Sequence, residues 1–288
     1  MKKSIRFIIN PISGIGKKNI LPELIQENLD HSIFTHDIVF TEYRGHARLL
    51  SEQAANEGIN IVCVAGGDGS VNEAGTALIN SKTALAILPT GSGNGIARHL
   101  GLSLKLKTTI QRINAFQLDT IDTISLNNKK AIGVSGFGFD ALIAKRFDEY
   151  HTRGFFSYAK LVLKEFRHYK GINVVLNNNE EFTNLLFCSI ANTSQFGNGF
   201  YISPKTNIKD GKFEIVFIEL PKTIGFIRLL ISSLRGTVHK SKHVKLVQVS
   251  EAQIRVKNKV GHIDGEPVDF KDFSINLSCN PASLSVVI

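Results

Sequence analysis

The fold of the N-terminal half is decided by residues 59–70, which read INIVCVAGGDGS. The first seven are mostly apolar and β-branched, as in a strand that is buried on both faces of a sheet. The glycines at positions 66, 67 and 69 let the backbone turn sharply and approach a ligand. A helical segment follows at residues 70–80. This order of strand, glycine-rich turn and helix is typical of a parallel α/β sheet.

The same order occurs on both sides of this segment. Before it, strands at residues 4–10 and 32–41 lead into helices at 19–28 and 45–57. After it, a strand at residues 84–88 ends at a proline. In open α/β sheets ligands bind beyond the carboxyl ends of the strands, so we expect the glycine-rich turns after these strands to form one site.

The second half of the chain has a different pattern. Helices are predicted at residues 141–148, 157–169 and 223–234, and the remaining segments alternate and are separated by turns, which indicates antiparallel strands. The predicted strands are residues 172–176, 182–191, 212–218, 244–249, 253–256 and 274–277. We therefore predict an open, mostly parallel α/β domain at residues 1–123 and a β-rich, sandwich-like domain at residues 124–288, whose last residues are able to return to the first domain.

Composition excludes several protein classes. Hydrophobic residues make up 43% and charged residues 20%, as in a globular protein with a sizeable core. No apolar run approaches the ~20 residues that span a bilayer, and the N-terminus lacks a secretory signal, so we expect a cytoplasmic protein. Cys63, Cys188 and Cys279 are isolated in sequence, which indicates buried thiols rather than disulfides or a zinc site.

The net charge of the chain restricts the classes of molecule that are expected to bind it. The 34 basic and 25 acidic residues give a net charge of +9, which favours anionic partners, although solubility alone is an equally good explanation. No nucleic-acid-binding motif is present, so we expect no nucleic acid partner. The remaining candidates are nucleotide phosphates and acidic lipids.

Asp68 is the most informative single residue. It lies among glycine amides that are suited to phosphate, where a carboxylate is out of place unless it binds Mg²⁺ or accepts a proton. The alternative is that Asp68 is the N-cap of the following helix, and the four-residue pattern alone leaves both interpretations open.

Two further loops have similar chemistry. Residues 89–95 read PTGSGNG and residues 10–18 read NPISGIGKK, each after a predicted strand. The second is not a P-loop, because Pro11 occupies the position of its first glycine. Each loop alone is weak evidence, since such residues are common in ordinary turns.

Together the loops resemble the diacylglycerol kinase catalytic domain that bacterial lipid kinases share with sphingosine kinases. The NPxSG, GGDGT-xNE and PxG(T/S)xN motifs of that family are matched by residues 10–14, 66–73 and 89–94. Thr41 matches a nucleotide-contacting threonine, Asp210 begins a similar DG turn, and residues 262–266, HIDGE, match a C-terminal DGE motif. The resemblance covers nearly the whole chain in the same order.

The resemblance implies an ATP-dependent lipid kinase with Mg²⁺. In this family Glu266 would be the base that takes the proton of the lipid hydroxyl, Asp68 would serve Mg²⁺–ATP, and Asp122 would belong to the same acidic network. Asp210 would hold a structural Mg²⁺ with the backbone carbonyls of Asn207 and Lys212. The implied ATP-binding residues are Asn10, Pro11, Ser13, Gly14, Lys17, Thr41, Gly66, Gly67, Asp68, Gly69, Ser70, Asn72, Glu73, Gly91, Ser92 and Asn94.

These assignments have simpler alternatives. Asp210 begins a good hairpin turn in its own right, Asp122 could lie at the surface, and Glu266 could lie in a β-turn. Two residues also depart from the family pattern: Ser70 replaces a threonine, and Gly95 replaces an aspartate. The loss of that aspartate makes a sphingoid base a rival substrate to a diacylglycerol-like lipid, and Asp140 could then recognise a lipid amine or hydroxyl, or cap the helix that follows it.

Two other functions remain open. NAD kinases also have GGDG after a parallel strand, but they lack the NPxSG and GSGN loops. A lipid- or nucleotide-binding module without catalysis is the non-enzymatic alternative. The net charge, the apolar helix at residues 223–234 and the basic segment at 235–245 predict peripheral association with the inner face of the membrane. The sequence leaves the oligomeric state open, with a homodimer as one alternative.

Overall fold

The computed structural model describes residues 2–13, 20–149, 155–257 and 259–288. The chain forms two compact units, one of Met1–Thr123 with Asn280–Ile288 and the other of Ile124–Cys279. The C-terminal residues thus belong to the first unit.

The first unit is built on a parallel sheet, as predicted. Four strands pair in the order β2-β1-β3-β4, and the end of the last strand of the chain, β15, pairs in parallel with β4 through Val286 and Leu85. All six residues of β3 are buried, which explains its continuous apolar sequence. The strands are β1 (Lys3–Ile9), β2 (Phe34–Phe40), β3 (Ile61–Gly66), β4 (Ala84–Pro89), β5 (Leu118–Leu126) and β15 (Ser274–Val287).

The described residues of the first unit also form five α-helices. They are α1 (Leu21–Asn28), α2 (His46–Asn56), α3 (Asp68–Ala77), α4 (Gly95–His99) and α5 (Leu106–Asn114). Of these helices, α5 was not predicted from the sequence. In α5 the apolar residues Leu106, Ile110 and Ile113 recur at helical spacing and join the core of Phe7, Ile61 and their neighbours, while the other positions are mostly polar.

The second unit is antiparallel and β-rich, as predicted. Its main strands follow the order β14-β13-β7-β9-β8-β12-β15, and β10 pairs with both β9 and β11. The strands are β6 (Lys129–Ala131), β7 (Val134–Gly138), β8 (Ile172–Leu176), β9 (Glu180–Ala191), β10 (Phe213–Glu219), β11 (Val244–Val249), β12 (Glu251–Val256), β13 (Val260–Ile263) and β14 (Glu266–Asp269). Strands β6, β7, β13 and β14 were not predicted from the sequence.

The described residues of the second unit include three α-helices: α6 (Phe139–Glu149), α7 (Phe155–Phe166) and α8 (Thr223–Leu234). Phe139 of α6 and Phe226 of α8 join a hydrophobic core with Val216 and Ile218 of β10. A second core, which contains Phe137, Phe213 and Phe217, forms within the same unit. None of the helices described in either unit is long and apolar enough to cross a bilayer.

Candidate active site

Three loops of the first unit leave the same edge of the sheet. Because β1 pairs with β3 and β3 with β4, all in parallel, the segments that follow Ile9, Gly66 and Pro89 are neighbours. This is the arrangement expected from the sequence, since ligands of such sheets bind beyond the carboxyl ends of the strands.

Side chains of the first loop connect it to the other two. The Asn10 Nδ2 group donates to Ser70 Oγ at 2.9 Å, and Asn10 Oδ1 accepts from the Ile12 N–H at 2.9 Å. The hydroxyl oxygens of Ser13 and Thr90 lie 3.1 Å apart in a further hydrogen bond. The loops therefore form one hydrogen-bonded structure.

The second and third loops touch backbone to backbone. The N–H groups of Thr90 and Gly91 donate to the Gly66 carbonyl at 3.1 and 3.2 Å. A Cβ atom added to Gly91 would lie 2.3 Å from the Gly67 Cα atom, so this approach requires glycine. The absence of side chains here is what a backbone that wraps a phosphate group needs.

Asn94 shapes the end of the third loop. Its backbone is left-handed, with φ at 52°, and its Nδ2 group donates to the Gly91 carbonyl at 2.7 Å. Four residues later, the Arg98 guanidinium donates through Nε to the Gly93 carbonyl at 3.1 Å. Arg98 was not identified from the sequence. Because it lies four residues after Asn94, one helical turn away, the sequence spacing could have indicated a cation beside this loop.

The Asp68 carboxylate contacts the third loop and the start of α4, as well as its own backbone amide. Helix α3 begins at Asp68 with Gly67 as its N-cap, so the N-cap interpretation of Asp68 is wrong. The carboxylate instead accepts from the Ile96 N–H at 3.2 Å, at the start of α4. Backbone amides near α4 thus stabilise the negative charge of Asp68, in addition to the Mg²⁺ or proton transfer that its sequence context suggested.

The protonation of Asp68 reflects two opposed effects. Burial raises the pKa of its carboxyl group, while the amides of Gly95, Ile96 and Asn94 act in the opposite direction. Burial is the larger effect because removal from water disfavours the charged form. A carboxylate with a raised pKa beside glycine-rich loops is suited to proton or cation chemistry.

Glu73 has a structural contact within the first unit. Its two carboxylate oxygens accept from the N–H groups of Gly45 at 2.8 Å and Ala47 at 3.2 Å. These amides form the start of α2, so Glu73 caps a helix that precedes it in the sequence. The structure therefore gives this residue of the NE pair a role in joining α3 to α2.

The remaining residues that were predicted to bind ATP lie in several environments. Thr41 follows β2, is 7% exposed, and donates its N–H to the Ile9 carbonyl at 2.9 Å. Gly69 and Asn72 lie on α3, Pro11 is half-buried in the first loop, and Ser92 is exposed. Gly14 and Lys17 lie outside the described residues.

Asp122 lies in the interior of the first unit. It is 2% exposed on β5, and its Oδ1 atom accepts from the Ala282 N–H at 2.8 Å. The surface alternative is therefore wrong. This hydrogen bond attaches the C-terminal part of β15 to β5.

In the second unit, Glu266 follows a tight hairpin turn. Asp264 and Gly265 have φ values of 49° and 87°, as in a two-residue hairpin between β13 and β14. Glu266 is the first residue of β14 and pairs with Ile263, so it lies in a strand rather than in a turn. The Asp264 carboxylate accepts from the N–H groups of Ile132 and Gly133 at 2.9 and 2.8 Å, which holds the hairpin in place.

A buried histidine supports the same hairpin. The His262 Nδ1 atom accepts from the Gly265 N–H at 3.2 Å, and its Nε2 atom lies 3.1 Å from Asp140 Oδ2. The Asp140 carboxylate also accepts from Ser189 Oγ at 3.1 Å and from the Ala141 N–H at 2.8 Å. Asp140 is the second residue of α6 and accepts from the amide directly after it, so the capping alternative is wrong and its contacts lie inside the second unit.

The residues implied for a structural Mg²⁺ lie in the loop before β10. Asp210 Oδ1 accepts from the Lys212 N–H at 3.0 Å, and Asp210 Oδ2 accepts from Gln248 Nε2 at 3.1 Å. Asn207 Oδ1 accepts from the Lys209 N–H at 3.1 Å. Among the described residues, no group of three or more His, Cys, Asp or Glu side chains forms a metal site, so a cation here would need backbone oxygens.

One carboxylate near this loop was missed. Glu214 on β10 is 9% exposed, and its Oε2 atom has no hydrogen-bond partner. Burial raises the pKa of Glu214, a hydrogen bond with Thr206 opposes that shift, and the charge of Asp210 adds to it. A buried, unpartnered carboxylate oxygen close to Asp210 fits a cation-binding loop, because oxygen ligands suit Mg²⁺. Its place inside an apolar strand hid it from sequence reasoning.

Family models match both parts of the chain. Residues 4–126 match the diacylglycerol kinase catalytic domain, and residues 133–288 match the YegS C-terminal NAD kinase beta sandwich-like domain. The diacylglycerol kinase of Bacillus subtilis strain 168 is 28% identical over 284 residues, which covers 92% of this chain and 90% of the relative. A diacylglycerol kinase of Mycobacterium tuberculosis H37Rv is 29% identical over 86% of this chain and 82% of its own length.

Solved structures have the same fold. A structure of a diacylglycerol kinase from Bacillus anthracis covers 99% of this chain and 96% of its own, with a TM-score of 0.72 and 15% identity. An NAD kinase from Archaeoglobus fulgidus in complex with ATP covers 99% and 93%, with a TM-score of 0.54 and 13% identity. The resemblance noted in the sequence is thus confirmed: the chain belongs to the diacylglycerol kinase catalytic-domain family of lipid kinases, with a YegS-type C-terminal domain.

Proposed function

We propose that this protein transfers the γ-phosphate of ATP to a hydroxyl group of a diacylglycerol-like or sphingoid lipid. The observation that carries the proposal is the joining of three loops at one sheet edge, where Gly67 and Gly91 meet backbone to backbone. Such bare backbone, next to the N-terminus of the ten-residue helix α3, suits the phosphates of a nucleotide.

The residues of the first unit would act mainly by positioning. Phosphoryl transfer depends on alignment and on neutralisation of charge, with little covalent chemistry for the protein to perform. In this proposal Asn10, Ser13 and Ser70 keep the loops rigid, and the loop amides orient the phosphate oxygens. Arg98 adds a positive charge beside the third loop.

The acidic residues would have separate tasks. Glu266 would accept the proton of the attacking lipid hydroxyl, held at the start of β14 by the turn that His262 and Asp264 support. Asp68 would hold Mg²⁺ with ATP, and Asp210 would bind a structural Mg²⁺ with the carbonyls of Asn207 and Lys212. Bound Mg²⁺ supplies positive charge that offsets the phosphate oxygens.

The chemistry of each site bears on these metal assignments. At Asp210 the unpartnered Oε2 atom of Glu214 provides an oxygen that a cation would satisfy, so the residues fit the group. At Asp68 the carboxylate already accepts from the amide of Ile96, so metal binding there would share an oxygen with that hydrogen bond. Carboxylate oxygens have enough lone pairs for both contacts.

We also propose that the enzyme works on the inner face of the membrane as a peripheral protein. Its substrates in this proposal are lipids, and the net charge of +9 favours anionic surfaces. Attachment through surface contacts is consistent with the finding that no described helix is able to span a bilayer.

One assay tests the proposed reaction against its rivals. The purified protein is incubated with radiolabelled ATP and Mg²⁺ and offered diacylglycerol, sphingosine or NAD in separate reactions. Label in one of the lipids is expected. Label in NAD alone would replace the proposal with an NAD kinase, and ATP binding without transfer to any acceptor would support a binding module. The Glu266→Gln variant controls for contaminating kinases.

A further inference from the structure

Helix α8 has one face packed against its unit and another that is open. On the inner side, the Phe226 ring stacks on Phe166 with centroids 3.8 Å apart, and Leu229 is buried in the same core. On the outer side, four large aliphatic side chains are exposed: Ile224 by 69%, Ile227 by 49%, Ile231 by 44% and Leu234 by 51%. We call these four residues the α8 row.

The α8 row is continuous along the helix. Its members are separated by three, four and three residues, a spacing that places side chains above one another on one face. Single exposed aliphatic residues are common on protein surfaces, but four in one row form a patch that marks an interaction site.

Positive charges border the α8 row. Arg228 lies one turn from both Ile224 and Ile231, and Arg235 lies two turns along from Arg228. Both arginines are exposed, as is Lys222 before the helix, and α8 itself contains no acidic residue. Lys240 and Lys242, also exposed, follow in the next segment.

We propose that the α8 row docks this protein on the surface of an anionic bilayer. An amphipathic helix with an apolar stripe and a basic border lies in the plane of the membrane interface, with its apolar side chains among the lipid headgroups and upper acyl chains. At 12 residues, α8 is too short to cross the bilayer, so an interfacial position is the one that suits its length.

A second copy of the chain is a poorer occupant. In a two-fold dimer the same surface patch serves both subunits, so the cations that border the row on one subunit would approach those that border it on the other. Arg228, Arg235 and Lys222 would then approach like charges, whereas anionic lipid headgroups would neutralise them. The charge of the border therefore selects the membrane over self-association.

The proposed lipid kinase function explains why docking through α8 would be useful, and the docking proposal rests on that function in this respect alone. A lipid kinase must bring its second unit to a substrate held in a bilayer, and α8 belongs to that unit. The attachment itself is a binding event that is measured without any phosphoryl transfer. The two proposals therefore fail or survive separately.

The test is co-sedimentation of the full chain with vesicles. The vesicles contain phosphatidylcholine alone or phosphatidylcholine with phosphatidylglycerol, at low and high salt. Wild type is expected to bind the anionic vesicles and to lose most of that binding at high salt. The variant Ile227→Ser with Ile231→Ser, and the variant Arg228→Gln with Arg235→Gln, should each reduce partitioning by about tenfold or more. Leu118→Ser, an exposed leucine of the first unit, is the matched control and should bind as wild type.

Three further readouts separate the possible failures. Unchanged thermal melting shows that each variant folds. Phosphorylation of a short-chain, monomeric diacylglycerol or sphingoid base should be equal in wild type and variants. Its absence with both lipids in all of the proteins would contradict the proposed function while the binding result still stands. Wild-type binding by both double variants would overturn the docking proposal. A change from dimer to monomer in sedimentation velocity for the Ile227→Ser, Ile231→Ser variant would also overturn it, since the row would then be a subunit interface.

Discussion

The Asp68 carboxylate accepts a hydrogen bond from the Ile96 N–H at 3.2 Å, which ties the loop after β3 to the helix after β4. Asp68 therefore has a structural contact in addition to its proposed service to Mg²⁺–ATP. The two roles predict different consequences when its charge is removed.

We expect Asp68→Asn to lower turnover by well over tenfold, equivalent to ~1.4 kcal/mol in the barrier, while the fold stays intact. An asparagine oxygen still accepts from the Ile96 amide, so the loop contact survives and the negative charge is lost. Steady-state kinetics at saturating Mg²⁺–ATP and thermal melting measure the two effects. Turnover within tenfold of wild type, together with a lower melting temperature, would assign Asp68 to loop structure alone.

The contact between Gly67 and Gly91 supports a paired prediction. A Cβ atom on Gly91 would lie 2.3 Å from the Gly67 Cα atom, whereas a Cβ atom on Gly67 would lie 3.3 Å from the Gly91 Cα atom. Gly91→Ala must therefore push the two loops apart, while Gly67→Ala needs a shift of only a few tenths of an ångström.

We expect Gly91→Ala to weaken ATP binding much more than Gly67→Ala. Isothermal titration with a non-hydrolysable ATP analogue measures the affinity, and thermal melting shows whether each variant folds. Equal affinity in the two alanine variants and wild type would contradict the view that this backbone contact shapes the nucleotide site.

Much of the first unit follows from local sequence. Strands β3 and β4 are continuous apolar runs that end at glycine and proline, so strand, turn and helix were recognised in order. The contact of Asp68 was not predictable in this way. It depends on the pairing of β3 with β4, which brings α4 to a residue 28 positions earlier in the chain. From the sequence alone, an N-cap role and a role in Mg²⁺ or proton chemistry therefore both stayed open for Asp68.

Strand β7 shows why parts of the second unit were missed. Its sequence, Val134–Gly138, contains two glycines, which usually weaken a strand. Here Gly136 is required because a Cβ atom would lie 2.7 Å from Asp140 Oδ2 and 2.9 Å from the Cys188 carbonyl oxygen. The reason for the glycine lies in tertiary contacts, so composition alone argued against a strand that the fold needs.

The buried carboxyl group of Glu214 predicts how the stability of the protein depends on pH and on Mg²⁺. Its pKa is raised mainly by burial, so the folded state holds the proton more tightly than the unfolded state. Glu214 therefore adds most to the free energy of unfolding at pH values below the ordinary pKa of a glutamate side chain. This contribution is lost as the pH rises from that ordinary pKa to the higher pKa of the folded protein. Glu214→Gln should remove this dependence and raise the melting temperature at neutral pH without divalent ions.

With Mg²⁺ present, the wild type should have a higher melting temperature than the Glu214→Gln variant, the reverse of the order without divalent ions. A cation bound at Asp210 and Glu214 would stabilise the wild type in proportion to its occupancy, whereas the glutamine variant lacks the charged oxygen. Thermal melting with and without Mg²⁺ measures this difference. An equal Mg²⁺-dependent rise in both proteins would show that Glu214 takes no part in binding the ion.

The final prediction concerns the hairpin that presents Glu266. The residue begins β14, directly after a turn whose Gly265 amide donates to His262 Nδ1. Two substitutions test the two ring nitrogens of His262 separately. His262→Asn keeps an acceptor for the Gly265 amide, and His262→Gln keeps a donor for Asp140. If the turn positions Glu266, we expect His262→Asn to retain more turnover than His262→Gln.

Glu266→Gln itself should lower turnover by ~10²–10⁴-fold, which is the usual contribution of a positioned general base. ATP affinity should be preserved, because Glu266 belongs to the second unit and the nucleotide loops belong to the first. Lipid phosphorylation and ATP binding are measured on the same preparation. Loss of ATP affinity with turnover preserved at saturating ATP would place Glu266 in the nucleotide site, and Asp68, whose pKa is raised by burial, would become the better candidate for the base.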